Sequence, residues 1–532
     1  MLLIRPEMQL ENAWHEYIVS GTVLAAWVFS YVGGYAVDRF GRRRSIVVAA
    51  LVFTTGSLGM AFSPNKELLL VGRIVVGMGV GLASMSTPVY LAETSAPAVR
   101  GKAVTTFNVG VTFGQFVASL VCGLFSSVEG GWRWMLGLAG LPSAGLLVGA
   151  LVLPESPRWL VMQGRVDEAE AVLLVLRGGA SSADKHAGVL RELQEIKDSS
   201  EEGGKAGGKV PEGQSVVLRV LRTPSARRPL IIGCMLASVQ QLAGVNTVMY
   251  YSASIIQMAG IGDSAAAIWL SVVVALANFT FAVVGVFLIE RCGRRPLLLG
   301  SLMGVVVALC LLATGFLAMD ITSPKIHKHD LLDDDPCVVA TRCSECVSSS
   351  LGCGFCFATD GNMSVQSSCH KLGSGNVPMA DVCHTDDVSW AVGWCPSAYS
   401  WIAITALVLY LVMFSPGLGP VPWTVNSEIH PLWARGVSSS MSTSCHWAFN
   451  LLVSLTFLTL VENLTAKGTF LVYAILGVIG AVLIWALLPE TRGVRLEDME
   501  AVFRTPAARP ARGLDLVGEG GLHQVAPRVA PR

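Results

Sequence analysis

Gln240, Gln241, Asn246 and Tyr250 lie inside an apolar run, residues 230–258, that carries no charge. Polar side chains in such a run are expensive in lipid and usually face a cavity. Amides both donate and accept hydrogen bonds, which suits a neutral ligand rich in hydroxyls, such as a sugar or cyclitol. Gln240, Gln241 and Tyr250 do not share one face of an unbroken helix. A break at Gly244 would turn them into one cavity. Trp423 offers an apolar face on which a ring can lie. His446 can bond a hydroxyl or titrate near neutral pH, and a packing role is an equal alternative. Asn278 and Asn450 can as readily be glue between helices.

A second chemistry is carried by charges at the ends of apolar runs. GYAVDRFGRRR (Gly34–Arg44) returns as GVFLIERCGRR (Gly285–Arg295), with Asp38 and Glu290 252 residues apart. Glu93 and Arg100 return as Glu428 and Arg435, and Pro154-Glu155-Ser156 as Pro489-Glu490-Thr491, both at an offset of 335. Three motif pairs in one order indicate a duplicated chain. The offsets differ by 83 residues, so an insertion lies between Arg295 and Glu428. A topology signal needs only positive charge, whereas here an acid accompanies the arginines at fixed spacing. The set Asp38, Arg42, Glu93, Arg100, Glu155, Arg158, Glu290, Arg294, Glu428, Arg435 and Glu490 is therefore expected to form ion pairs between helix ends. Those pairs would hold the two halves together on one side and part when that side opens.

The elements that must position these residues are membrane spans. Of 532 residues 52% are hydrophobic and only 14% charged, against about 25% charged in soluble domains. Net charge is zero, so nothing points to a nucleic-acid partner. Eleven apolar runs approach the ~20 residues that a spanning helix needs: roughly 18–37, 45–62, 68–91, 103–126, 134–153, 230–258, 266–289, 297–319, 398–425, 437–461 and 469–488. Only helices satisfy their own backbone in lipid among single segments, so an all-α membrane protein is expected. The basic residues fall on alternate connections, which places those connections in the cytoplasm. The division expected is a first bundle at 1–153, a cytoplasmic loop with short helices at 154–229, and a second bundle at 230–319 and 398–488. A cysteine-rich extracellular module at 320–397 interrupts the second bundle, and a cytoplasmic tail follows at 489–532. Val166–Leu176 and Val189–Ile196 are expected to be amphipathic helices, Ser199–Gly213 a flexible linker, and the tail after Arg504 disordered.

Eight of the thirteen cysteines lie in the module: Cys337, Cys343, Cys346, Cys353, Cys356, Cys369, Cys383 and Cys395. Their spacing would admit zinc, but an extracellular position favours disulfides. Sequence alone leaves 105 connectivities open. Asn362-Met363-Ser364 is a glycosylation acceptor in the same loop.

The motif set resembles the major-facilitator sugar porters: GxxxDRFGRRR, Gly72-Arg73, the paired E…RG segments, PESPR, QQxxGxN at Gln240–Asn246, GPxPW at Gly419–Trp423, and PETRG. Pro422–Gly436 and the eight-cysteine loop are similar to the proton-coupled myo-inositol branch, and the loop also resembles the plexin–semaphorin–integrin cysteine module. The resemblance runs from about Trp14 to Phe503. It implies two pseudo-symmetric helical bundles that work by alternating access. It implies sugar contacts at Asn108, Gln115, Gln240, Gln241, Asn246, Tyr250, Asn278, Trp423, His446 and Trp447. Asn108 stands where many members have Gln, and His446 where they have Asn or Gln, which leaves the substrate open between myo-inositol and a hexose. In proton-coupled members an Asp on the first helix pairs with the position of Arg73, the proton-coupling candidate.

Shifted back by 252 residues, the counterpart of the 230–258 run would fall before Met1. A five-plus-six arrangement without the first family helix is therefore expected, with residues 1–17 outside. Three functions remain open: a proton-coupled transporter of myo-inositol or a hexose, a facilitative hexose uniporter, and a non-transporting isoform or sensor. No metal cluster, phosphate loop or nucleophile arrangement is visible, so neither enzymatic chemistry nor a cofactor is expected. The expected location is the plasma membrane, with intracellular vesicles as the alternative.

Overall fold

The computed structural model describes residues 4–8, 12–96, 99–178, 183–206, 216–326, 337, 340–348, 352–358, 367–371, 388–431 and 434–492. The first half starts with a single turn, α1 (Ile4–Glu7), followed by α2 (Asn12–Phe40), α3 (Arg42–Ala61), α4 (Lys66–Thr94) and α5 (Arg100–Leu124). The next pair, α6 (Gly131–Leu138) and α7 (Gly140–Val152), makes one further pass. Four short or amphipathic helices connect the halves: α8 (Pro157–Met162), α9 (Val166–Leu176), α10 (Ala183–Ala206) and α11 (Val216–Arg222). The α9 boundaries match the expected helix. The α10 helix continues to Ala206, into the stretch expected to be a flexible linker. Its run of Glu, Lys and Ser has no proline to stop it. Residues 207–215 and the tail from 493 lie outside the described residues.

The second half contains α12 (Pro224–Leu242), α13 (Val245–Tyr250), α14 (Ser252–Met258), α15 (Ser264–Cys292) and α16 (Arg294–Ile321). Gly244, at φ 86°, separates α12 from α13, in a left-handed conformation that glycine adopts without penalty. The cysteine module inserts next, with α17 (Cys343–Ser348), β1 (Cys353–Ala358), β2 (Ser367–Lys371) and β3 (Val388–Ala391). The chain then re-enters the bundle through α18 (Ser400–Phe414), α19 (Val421–Ile429) and α20 (Arg435–Leu487). Among the described residues nine helices are long and apolar enough to cross a membrane. The 53-residue α20 is two passes, because Thr465 at φ 65° breaks its helical path. With α18 and α19 as one interrupted pass, the eleven apolar runs are all accounted for.

The largest core lies in the second half, where Leu236, Ile255, Leu302, Tyr410, Phe457 and Phe470 are all buried. A smaller cluster in the first half gathers Ile18, Met60, Leu69, Val76 and Trp132 around Ile4. Glu7 accepts a hydrogen bond from Trp132 Nε1 at 2.5 Å, so the N-terminal turn is tied beside α6.

The module is a three-stranded antiparallel sheet of order β2-β1-β3. Disulfides join Cys337 to Cys353, Cys343 to Cys395 and Cys346 to Cys369. Cys356 is also disulfide-bonded, while Cys383 and the acceptor Asn362 lie outside the described residues. The sulfurs considered for zinc are thus engaged in disulfides. The module is fastened to the membrane domain rather than tethered. Cys343 N–H donates to Pro324 O at 2.9 Å, and Arg342 donates to Ile321 O at 2.5 Å at the end of α16. Trp394 covers Gly262 and the Cys395 carbonyl covers Gly260, so a side chain at either glycine would collide.

Gly41 and Gly293 start α3 and α16 at φ 97° and 87°, where other residues are strained. A Cβ on Gly41 would also strike the Glu155 carboxylate. Gly41→Ala is expected to destabilise the fold by about 1–3 kcal/mol, whereas Gly110→Ala, whose Cβ would meet nothing within 4 Å, is expected to be neutral or stabilising. Thermal unfolding of the two detergent-purified variants against the parent checks this.

Candidate functional site

Each half builds the same charged box at one end of its helices. In the first, Arg42 Nε and Nη2 bond the two oxygens of Glu93 at 2.9 and 3.0 Å. Both side chains are almost fully buried, at 4% and 7% exposure. Ser156 Oγ also donates to Glu93. Glu155 accepts the backbone N–H groups of Arg42 and Arg43 at 2.9 and 3.1 Å, and so sits on the N-terminus of α3. The second half repeats the pattern, with one bond from Arg294 Nη2 in place of the two from Arg42. Arg294 meets Glu428 at 3.2 Å, Thr491 Oγ1 donates to Glu428, and Glu490 accepts from the N–H groups of Arg294 and Arg295 at 3.0 Å each. A carboxylate at a helix N-terminus is favoured by both the unpaired N–H groups and the helix dipole.

These ion pairs join helices within one half, α3 to α4 and α16 to α19. That departs from the expectation that they would bridge the halves. Asp38 does reach across: it lies 3.5 Å from Arg42, and its carboxylate packs against Gly436, where any side chain would displace it. Gly436 is in the first turn of α20, so Asp38 supplies negative charge at that helix N-terminus. Arg435 begins the same turn and donates to His430 O at 3.3 Å. Arg158 lies in the first turn of α8. The side chains of Arg100 and Glu290 lie outside the described residues.

Two seams bring the halves together. Along α2 and α20, Ser440 Oγ donates to Ser30 O at 3.1 Å and Trp27 Nε1 to Ser444 Oγ at 3.0 Å. Along α5 and α15, Asn278 Nδ2 donates to Gln115 Oε1 at 3.0 Å, and Phe279 packs on Phe113 and Phe116. Trp447 Nε1 reaches Ser84 Oγ on α4 at 3.1 Å. These bonds are single and mostly uncharged, unlike the boxes.

Between the seams lie the amides singled out in the sequence. Gln240 Nε2 donates to the carbonyls of Leu418 and Gly419 at 2.9 and 2.8 Å, while its Oε1 is buried without a hydrogen bond. Gln241 Nε2 bonds His446 Nδ1 at 3.0 Å and Gln241 Oε1 accepts from Asn246. The His446 ring lies 4.9 Å from Trp423 and 5.4 Å, edge on, from Trp447. Asn108 approaches the glycine of the GPxPW segment, Gly419. Tyr250 stands apart, 44% exposed, with Asn450 as its hydrogen-bond donor at 3.5 Å.

Gln240, Trp423 and His446 line a small cavity together with Asn426, Ser442 and Thr443. A larger vestibule shares Trp423, Asn426 and Thr443 and extends to Glu93 and Arg435. Asn426 and Thr443 were missed in the sequence. Their spacing could have found them: Asn426 follows Trp423 by three residues and Thr443 precedes His446 by three, which puts each on the same helix face. Arg73 lies in α4, and its Nε has no hydrogen bond among the described residues.

Because the Arg42–Glu93 pair is buried, Glu93→Ala would leave a guanidinium without its partner and is expected to destabilise the first half by about 3–5 kcal/mol. Glu168→Ala, at an exposed pair with Arg165, is expected to leave unfolding unchanged. Differential scanning fluorimetry of both variants tests the contrast.

Comparison with known proteins agrees with this architecture. The signature of the family described as sugar (and other) transporter matches residues 6–328 and 377–503. The chain is 44% identical to the proton myo-inositol cotransporter of Homo sapiens, over 94% of this chain and 78% of that protein. It is 37% identical to probable inositol transporter 2 of Arabidopsis thaliana, covering 94% and 87%. The galactose-proton symporter of Escherichia coli is 30% identical, with 93% and 88% covered. In fold, the chain is similar to the major facilitator proton:xylose symporter XylE bound to a bromodeoxyglucose, with a TM-score of 0.69, 24% identity and 94% and 92% coverage. The duplicated boxes, the interrupted helices and these matches agree: the chain belongs to the sugar transporter family and is a multi-pass membrane protein of the major facilitator fold.

Proposed function

We propose that this protein carries myo-inositol or a closely related hexose across the plasma membrane together with protons, by alternating access. The observation that carries the reading is the cluster of Gln240, Gln241, Asn246 and His446 beside Trp423, enclosed where two internally braced halves meet. In the transport cycle the amides of Gln240, Gln241, Asn246 and Asn278 exchange their hydrogen bonds within the protein for cargo hydroxyls. Trp423 stacks on the ring, and Asn108, Gln115 and Trp447 complete the wall. The names of the inositol-transporting relatives support the cargo and the coupling ion. Asp38, with Gly436 and Arg435, closes the cytoplasmic seam, and the boxes of Arg42, Glu93, Glu155, Arg294, Glu428 and Glu490 keep each half rigid as the seams part.

A facilitative uniporter of the same fold is the second reading. It is favoured by Arg73, whose Nε has no hydrogen bond among the described residues; an acidic partner there would supply the proton-binding pair.

Uptake of labelled myo-inositol with and without an inward proton gradient separates the readings. Accumulation above equilibrium is expected; equilibration alone would support the uniporter, and no uptake by protein at the cell surface would leave neither. Gln241→Ala removes bonds to both Asn246 and His446 and is expected to raise KM about tenfold, the loss of roughly 1.4 kcal/mol. Concentration-dependent uptake measures it. Asp38→Asn weakens the charge at the α20 N-terminus and is expected to shift the carrier towards the inward-open state. More labelling, from the cytoplasmic side, of a cysteine introduced on the vestibule wall by Ser439→Cys would register that shift.

A further inference from the structure

His430 lies in the turn between α19 and α20, past the end of the membrane pass, and is 1% exposed. Neither ring nitrogen has a hydrogen-bond partner among the described residues. A neutral imidazole always presents one donor and one acceptor, and burying both unpaired is unfavourable. Two further polar atoms nearby in sequence share this state: Asn426 Oδ1, one turn earlier, and Ser438 Oγ, two turns later. The space above Gly233 on α12 gathers the cluster. A Cβ there would meet Asn426 Oδ1, Ser442 Oγ at 2.7 Å and His430 Cε1 at 3.3 Å. Asn426 also lines the cytoplasmic vestibule, so one amide side chain stands between that water-accessible space and the imidazole.

Residues 415–420, Ser-Pro-Gly-Leu-Gly-Pro, form a turn between α18 and α19. A displacement of the His430 end of α19, which breaks its single Arg294–Glu428 bond, would carry Asn426 and His430 away from Gly233 and wet the ring. The charged and titratable groups around it come from each packed element. Arg435 of α20 donates to the His430 carbonyl. Glu428 of α19 is committed to Arg294 and Thr491. Cys234 of α12 and Cys445 of α20 are thiols. No carboxylate in this group is available to stabilise an imidazolium in the packed state.

We infer that His430 is a proton-binding site under the cytoplasmic vestibule, neutral while α19 packs on α12 and protonated from the cytoplasm when the His430 end of α19 moves out. Burial, with Arg435 adding to it, holds the packed imidazole down to about pKa 3, whereas a solvated imidazole titrates near 6.5. The sign follows. Because the packed-state value is the lower one, the packed state keeps its full stability above about pH 6.5 and loses it as pH falls below that. Protonation therefore holds the vestibule open. A carrier that brings protons in with its cargo would be slowed in its return as the cytoplasm acidifies.

This inference rests on the alternating-access part of the proposed function but not on the cargo. The test therefore uses the full-length protein in membrane vesicles without substrate. Ser439→Cys places a thiol on the vestibule wall. Its labelling by a maleimide from the cytoplasmic face is read by mass spectrometry, with and without His430→Gln. The ratio of the two rates cancels the pH dependence of the thiol itself. The ratio is expected to rise about threefold to fourfold between pH 7.5 and 6.0, as a group titrating near 6.5 requires. A flat ratio overturns the proposal. His430→Phe serves as a second non-titrating reference, and if neither variant reaches the membrane the imidazole is a packing group and the proposal is overturned as well. Absence of inositol uptake by the unmodified protein would count against the cargo reading and leave this ratio unaffected.

Discussion

A carboxylate seated on a helix N-terminus, beside a buried arginine pair, is the interaction on which the rest of this structure depends. It occurs twice, at Glu155 over α3 and at Glu490 over α16. Each ties the last helix of a half to the turn between its earlier helices. Arg42–Glu93 and Arg294–Glu428 then bind a third helix into the same knot. Buried ion pairs rarely add net stability over apolar packing, but removing one partner is severe. They therefore act as locks on arrangement. Glycine at the head of α3 and α16 is part of the same device, because only a residue without Cβ lets the carboxylate approach the N–H groups.

Much of this was legible in the sequence because the duplication spells it out. The equal offsets of Glu93/Glu428, Arg100/Arg435 and Pro154/Pro489 announced two copies of one unit, and the structure shows the contacts of Arg42, Glu93 and Glu155 again at Arg294, Glu428 and Glu490. Spacing also announced the helix break at Gly244, since Gln240, Gln241 and Tyr250 do not share a face of one straight helix. The two passes within α20 were readable as separate apolar runs, although the backbone between them is marked only by the positive φ of Thr465.

What spacing could not convey was direction across the halves. Residues that recur at one offset are equivalent by duplication, and equivalence says nothing about whether an acid meets the arginine of its own copy or of the other. The ion pairs proved to be internal, and the cross-contact fell to Asp38 and a glycine, a pairing of charge with helix terminus that leaves no complementary side chain to search for. Asn426 escaped notice for a related reason. It sits in a segment read for its tryptophan and its acid, and an amide three residues from Trp423 gains meaning only once the cavity beside it is drawn. The fully buried His430 likewise gives no sign of burial in a stretch bordered by Glu428, Pro431 and Arg435.

The division of labour between the two kinds of contact has a mechanical consequence. A carrier that alternates must break and remake its closures in every cycle, so those closures must be weak, whereas the bodies that move must not deform. The boxes are multivalent and charge-assisted, and charge-assisted hydrogen bonds are roughly twice as strong as neutral ones. The seams are single neutral bonds such as Asn278–Gln115, Trp447–Ser84 and Ser440–Ser30, each worth about 0.5–1.5 kcal/mol net. A few of these sum to an energy that cargo binding can offset, while the doubly bonded Arg42–Glu93 pair remains out of reach. The amides at the centre belong to the weak class: bonded to neutral partners such as the Leu418 and Gly419 carbonyls, His446 and each other, they hold their donors and acceptors ready without leaving most of them bare. Selectivity for a polyhydroxyl cargo then arises from replacement, since only a ligand that restores each exchanged bond avoids leaving a buried amide unpaired.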